Sequence, residues 1–190
     1  MDFPTILANT LSARQPKTRV EWEARPAAVL VPLYLADGEW HVLLTRRTDS
    51  LKSHTGQVAF PGGKVDANDA TREDTALREA EEEIGLRPQD VRVLGRLDDL
   101  LTVTQWRITP VAGVFAWPYH FTPSPGEIAA IFGVPLRWLA DPANLVTEFR
   151  EPIVPGPKIP VYHWYYREFD IWGASARIIR NFLDVAGAFL

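Results

Sequence analysis

At 190 residues the chain is long enough for one domain with a full core. Its 46% hydrophobic and 23% charged content excludes an intrinsically disordered chain, and the absence of cysteine excludes disulfides, a thiolate nucleophile and a cysteine-held zinc. A net charge of −4 argues against broad electrostatic binding to nucleic acid, and an anionic substrate would need bound cations to offset like-charge repulsion.

The N-terminus carries no basic start followed by an apolar run, and no stretch approaches the ~18 apolar residues of a membrane span. A cytoplasmic chain without membrane or nucleic-acid partners is expected, and monomer and homodimer both stay open. After a short N-terminal helix, Ala27 to Leu35 and Trp40 to Thr45 read as a hairpin around Ala36-Asp37-Gly38-Glu39. Arg46 to Thr55 reads as a polar, basic loop. The apolar piece Gln57 to Phe60 follows, and then the turn Pro61-Gly62-Gly63.

The next helix spans about Ala70 to Ile84, with Asp69 or Thr71 as N-cap and Gly85 ending it. Val91 to Leu97 and Ile108 to Trp117 read as strands, Glu127 to Phe132 as a short helical element, and Leu136 to Ala140 as a helical turn. The Pro-rich stretch Glu151 to Pro160 reads as a surface loop, followed by a hairpin over Val161 to Phe169. A last helix over Ala174 to Phe189 is apolar along Ile178, Ile179, Phe182, Leu183 and Val185. There is no internal repeat, so one mixed α/β domain over residues 1–190 is expected.

Chemistry concentrates on the helix after the glycine turn. With ~3.6 residues per turn, Glu79, Glu82 and Glu83 share a face, while Leu77, Ala80 and Ile84 point the other way. Like charges at this spacing destabilise an isolated helix by ~0.2 to 0.5 kcal/mol per pair, and a bound cation reverses that sign. Hard cations such as Mg²⁺ take oxygen ligands and share them with substrate phosphates, so Glu79, Glu82 and Glu83 are the expected metal ligands for cleaving a diphosphate. Arg78 is placed beside them to hold a carboxylate through a forked hydrogen bond. A charge run on a helix is ordinarily a solvated face. Here a glycine turn, a capped helix and a terminal glycine coincide with it, which an exposed helix does not require.

Arg78-Glu79-Ala80-Glu81-Glu82-Glu83-Ile84-Gly85-Leu86 resembles the box of the Nudix hydrolases, which reads Gly, five residues, Glu, seven residues, then Arg-Glu-apolar-any-Glu-Glu-any-Gly-apolar. The matching segment is about 63–86. From Gly63 the first acid falls at Asp69, and eight residues separate it from Arg78, so the box is one residue long. Upstream, Leu43 to Thr48 with Gly56 to Gly63 is similar to the coenzyme A diphosphatase subfamily.

The resemblance implies an α/β/α sandwich with a mixed sheet. It also implies Mg²⁺- or Mn²⁺-dependent cleavage of coenzyme A to 3',5'-ADP and 4'-phosphopantetheine. Other nucleoside diphosphate derivatives, such as ADP-ribose or NADH, are the alternative substrates, and a module that binds a nucleotide without cleaving it is the non-enzymatic alternative. By motif position Glu79 and Glu83 are the primary ligands, with Glu82 a further ligand or water-holding carboxylate. Gly62 and Gly63 suit close backbone approach, and Glu127 resembles the later acidic residue that many members use as base or extra ligand. Arg46, Arg47 and Lys52, beside the glycine turn, are candidates for the 3'-phosphate of coenzyme A. His54 is a weaker contact in the same loop, and Trp106, Trp164, Tyr166 and Trp172 are expected to pack rather than to stack on adenine.

Overall fold

The computed structural model describes residues 2–18, 23–48, 56–151 and 157–189. Lys52 and His54 lie outside the described residues. Helix α1 (Phe3–Ala13) is followed by strands β1 (Arg25–Ala36), β2 (Glu39–Arg47), β3 (Val58–Ala59) and β4 (Gly62–Lys64), then helix α2 (Arg72–Ile84). Strands β5 (Val91–Arg96), β6 (Leu100–Leu101), β7 (Trp106–Phe115) and β8 (Ile128–Pro135) lead into helix α3 (Leu136–Ala140). Strands β9 (Leu145–Arg150), β10 (Ile159–Tyr166) and β11 (Phe169–Trp172) precede helix α4 (Gly173–Ala186).

Eight strands form a mixed sheet. β1 pairs antiparallel with β2 and β4 and parallel with β7, while β2 also pairs with β3 and β8. β1 is buried on both faces, which explains its near-continuous apolar run. Its residues alternate: Ala28, Leu30 and Tyr34 join the cluster around Ala76, Ala80 and Ile84 of α2, whereas Val31 and Leu33 pack with Leu7 and Leu11 of α1 and Phe182 of α4. Helices thus cover both faces of the sheet, the α/β/α arrangement that the resemblance implies. Fully buried Ile84 contributes roughly 2 to 3 kcal/mol to anchoring α2.

Three elements differ from expectation. β2 runs on through Arg46 and Arg47, because both residues are held in the sheet by pairing with β8, and Arg46 also pairs with β3. Glu127 begins no helix; it ends a turn at Pro125 to Glu127, and the segment after it is strand β8, recruited by pairing with β2. β9, absent from the predicted elements, forms the edge of a three-stranded sheet with β10 and β11. An exposed edge strand has no alternating apolar pattern to betray it. No helix among the described residues is long and apolar enough to cross a membrane.

Candidate active site

The turn before α2 is shaped by close contacts that only glycine allows. β4 pairs with β1 in the register Val29 to Gly62 and Ala28 to Gly63. A Cβ on Gly62 would lie 2.5 Å from the Ala28 carbonyl oxygen, and one on Gly63 would lie 2.6 Å from the Glu79 carboxylate. The first glycine therefore serves the sheet and the second serves the site. α2 opens with a capping box in which the Asp74 amide donates to Thr71 Oγ1 at 3.1 Å and the Thr71 amide donates to Asp74 Oδ2 at 2.9 Å. Gly85 closes it in a left-handed conformation, φ 71°.

Burial separates the acidic trio. Glu83 is buried, and its carboxylate accepts from the Gly62 amide at 3.2 Å and from Arg47 Nη1 at 3.4 Å. Burial pushes its carboxyl up to about 7, against the pull of the Gly62 amide and Arg47. Glu79 is half-buried and also raised, again chiefly by burial, with Arg78 opposing. Glu82, expected to converge with them, is instead 59% exposed at its side chain. Arg78 tethers it from one turn away, Nη1 to Oε2 at 3.1 Å, while the same Nη1 donates to Glu79 Oε1 at 2.9 Å.

Arg78 also donates its forked pair to Asp69 and a further hydrogen bond to the Lys64 carbonyl at 3.1 Å. Asp69 Oδ2 additionally accepts from Thr75 Oγ1 at 2.9 Å and from the Asp66 amide at 2.8 Å. The Arg78 guanidinium holds the Asp69 carboxyl well below the usual carboxylate range. Asp69 is therefore the partner of Arg78 rather than the cap of α2. Asp69 closes the turn Asp66 to Asp69, where its amide donates to the Asp66 carbonyl at 3.1 Å, and α2 begins three residues later at Arg72.

Arg46 and Arg47, grouped by sequence, are parted by strand alternation. Leu43 of β2 faces α2 while Val42 and Leu44 face α1 and α4. Arg47 accordingly reaches Glu83, whereas Arg46 lines a cleft against Phe169, Asp170 and Trp172 of β11. Glu127 comes to the site through contacts that sequence reasoning missed. The Ser124 amide donates to the Glu83 carbonyl at 2.8 Å and the Thr122 amide to the Ile84 carbonyl at 2.9 Å, so this loop caps the end of α2. The Thr48 amide then donates to the Glu127 carbonyl at 2.8 Å, and the Glu127 charge helps raise both Glu79 and Glu83. Of the aromatic candidates, Trp164 is a core residue that donates Nε1 to the Leu139 carbonyl at 3.1 Å.

Among the described residues, no three His, Asp or Glu side chains form a ready-made ligand cage. Mg²⁺ is commonly held by one or two carboxylates together with waters and substrate phosphates. The donors are all oxygens, the buried Glu83 carboxylate is met by one guanidinium, that of Arg47 at 3.4 Å, and the missing Cβ of Gly63 leaves room at the Glu79 carboxylate. These residues fit a hard divalent cation.

The family model of the NUDIX domain matches residues 24–155. An uncharacterized Nudix hydrolase, NudL of Pectobacterium atrosepticum, is 40% identical over 169 residues, covering 87% of this chain and 85% of its own. The mitochondrial Nudix hydrolase 15 of Arabidopsis thaliana is 38% identical, covering 83% of this chain and 57% of the plant protein. Among solved structures, the Nudix hydrolase RenU of M. smegmatis aligns with a TM-score of 0.53 at 28% identity, covering 63% of this chain and 76% of its own. The chain belongs to the Nudix family, and it is a hydrolase of diphosphate bonds in nucleoside diphosphate derivatives.

Proposed function

We propose that the protein hydrolyses the diphosphate bond of coenzyme A and related CoA species, releasing 3',5'-ADP and 4'-phosphopantetheine, with Mg²⁺ or Mn²⁺ as cofactor. One observation carries the reading. The segment Leu43 to Gly63, similar to coenzyme A diphosphatases, is built into the carboxylate site at both ends, through Arg47 on Glu83 and through the Gly62 amide on Glu83.

Glu79 and Glu83 would hold the metal, with Glu82 at the exposed rim as further ligand or anchor for water. When bound, a divalent cation neutralises the diphosphate and lowers the pKa of water beside it. Arg78, locked on Asp69, fixes the directions of Glu79 and Glu82. Gly62 and Gly63 keep the backbone close to the carboxylates without side-chain obstruction. Water adds to one phosphorus, the bridging P–O bond breaks, and the water proton passes to a carboxylate. Glu127, whose charge acts on both Glu79 and Glu83, is the proposed base. Arg47, which touches Glu83, is placed for the substrate's phosphates, and Lys52 remains a candidate from the sequence alone.

The test is a panel of coenzyme A, ADP-ribose, NADH and diadenosine polyphosphates incubated with each metal, with products resolved chromatographically. Coenzyme A turning over fastest is the expected result. Strong turnover of ADP-ribose with none of coenzyme A moves the substrate, and no turnover of any member overturns the coenzyme A reading.

A further inference from the structure

Across β2 from the carboxylates, a cleft of about 350 Å³ opens between the end of β2, β3 and β11. Its walls include Arg46, Gln57, Glu168, Asp170 and Trp172. The cleft and the carboxylate site meet at one strand end, since Arg46 borders the first and Arg47 touches Glu83 in the second, and neighbouring Cα atoms are ~3.8 Å apart. The two sites thus border consecutive residues of one strand.

Trp172 is large, apolar and 36% exposed, yet it is held in place. Its ring lies parallel to that of His163 on β10, centroids 6.0 Å apart at 6°. Buried His163 in turn bonds through Nδ1 to Asp170 Oδ1 at 3.0 Å, so one residue fixes both the ring and the carboxylate on the cleft wall. An ionised carboxylate accepts about four hydrogen bonds, which leaves Asp170 capacity beyond His163. Among the described lining residues two carboxylates, Glu168 and Asp170, stand against the Arg46 guanidinium, which disfavours a diphosphate there, while the Arg150 guanidinium lies 5.8 Å from the centroid of the Trp172 ring. A neutral aromatic ring bearing an amine is what such walls accept, by stacking on the indole and donating its amine protons to the carboxylate.

We propose that this cleft, with Trp172 as its stacking surface and Asp170 as its amine acceptor, is the subsite for the nucleobase of the substrate, an adenine-type ring. His163 is a positioning residue within it. The proposal deepens the functional reading above and rests on this chain cleaving a nucleoside diphosphate, whichever group is attached to it.

Crystals of the wild-type protein with 3',5'-ADP test it directly. The expected result is an adenine ring against Trp172 with its amine at Asp170. Adenine bound anywhere else, or no nucleotide bound at millimolar concentration, overturns the proposal. In solution, Trp172→Ala should raise KM for the panel's best substrate about 5- to 100-fold with kcat held within about twofold. Trp172→Leu keeps apolar cover over His163 but has no π-face, so it carries the same test if the alanine variant does not fold. An unchanged KM in the folded variants overturns the subsite. ADP-ribose as the best substrate would sink the coenzyme A reading alone, with the KM shift still expected; coenzyme A turnover with an unmoved KM would sink the subsite alone.

Discussion

Arg78 grips Asp69 through two parallel hydrogen bonds, Nε to Oδ1 and Nη2 to Oδ2, both 3.0 Å. The pair ties the turn after β4 to the middle of α2, and the remaining guanidinium nitrogen aims Glu79 and Glu82. A structural clamp and a site-orienting residue are thus the same side chain.

Asp69→Asn should lower stability by about 2 kcal/mol at neutral pH, the usual worth of hydrogen bonds to charged partners. For a chain of this size that is a fall in Tm of roughly 4 to 8 °C. The folded pKa of Asp69 is depressed, so its stabilisation is present above the unfolded value of 3.8 and is lost as pH falls towards the folded one. Melting curves from pH 8 to pH 3 should show a constant gap between wild type and variant down to about pH 4, closing below it. A gap that persists unchanged at pH 3 contradicts this role.

Arg78→Lys keeps the charge and loses the fork. Activity should fall about 10- to 100-fold, the usual cost of removing a residue that orients metal ligands. Steady-state kinetics check this, and activity within threefold of wild type would show that Glu79 and Glu82 do not need the guanidinium.

Glu83→Gln and Glu82→Gln should differ because one carboxylate is buried and the other exposed. The first should lose at least roughly 10² to 10³ in kcat, while metal-free thermal melting stays at or above wild type, because a poorly compensated buried charge has been removed. The second should lose less. Equal losses in both variants would mean that exposure does not rank these carboxylates.

The two glycines make a further contrast. Gly62→Ala drives a Cβ into the β1 backbone and should cost about 1 to 3 kcal/mol of stability. Gly63→Ala meets only the end of the flexible Glu79 side chain, so the fold should survive while activity drops about 10-fold or more through displaced Glu79. Paired measurements of Tm and kcat check both, and a reversed pattern would refute the division of labour.

The capped acidic helix, the glycine turn before it, the strands β1 and β7 and the apolar side of α4 were legible in the residues alone. Each of these is a local matter: helix periodicity, capping residues and buried strands write themselves into neighbouring positions. The α/β/α class followed from those elements together with the family resemblance, and the motif pointed to diphosphate chemistry. Tertiary structure decided which carboxylates turn inward, because Glu79 and Glu83 face the glycine turn while Glu82 stays in solvent. It also parted Arg46 from Arg47 across the sheet, and it brought Glu127 to α2 through the amides of Thr122 and Ser124 and the end of β2. Those placements depend on long-range strand pairing and on carbonyls left open at a helix end, and neither leaves a periodic mark in the chain.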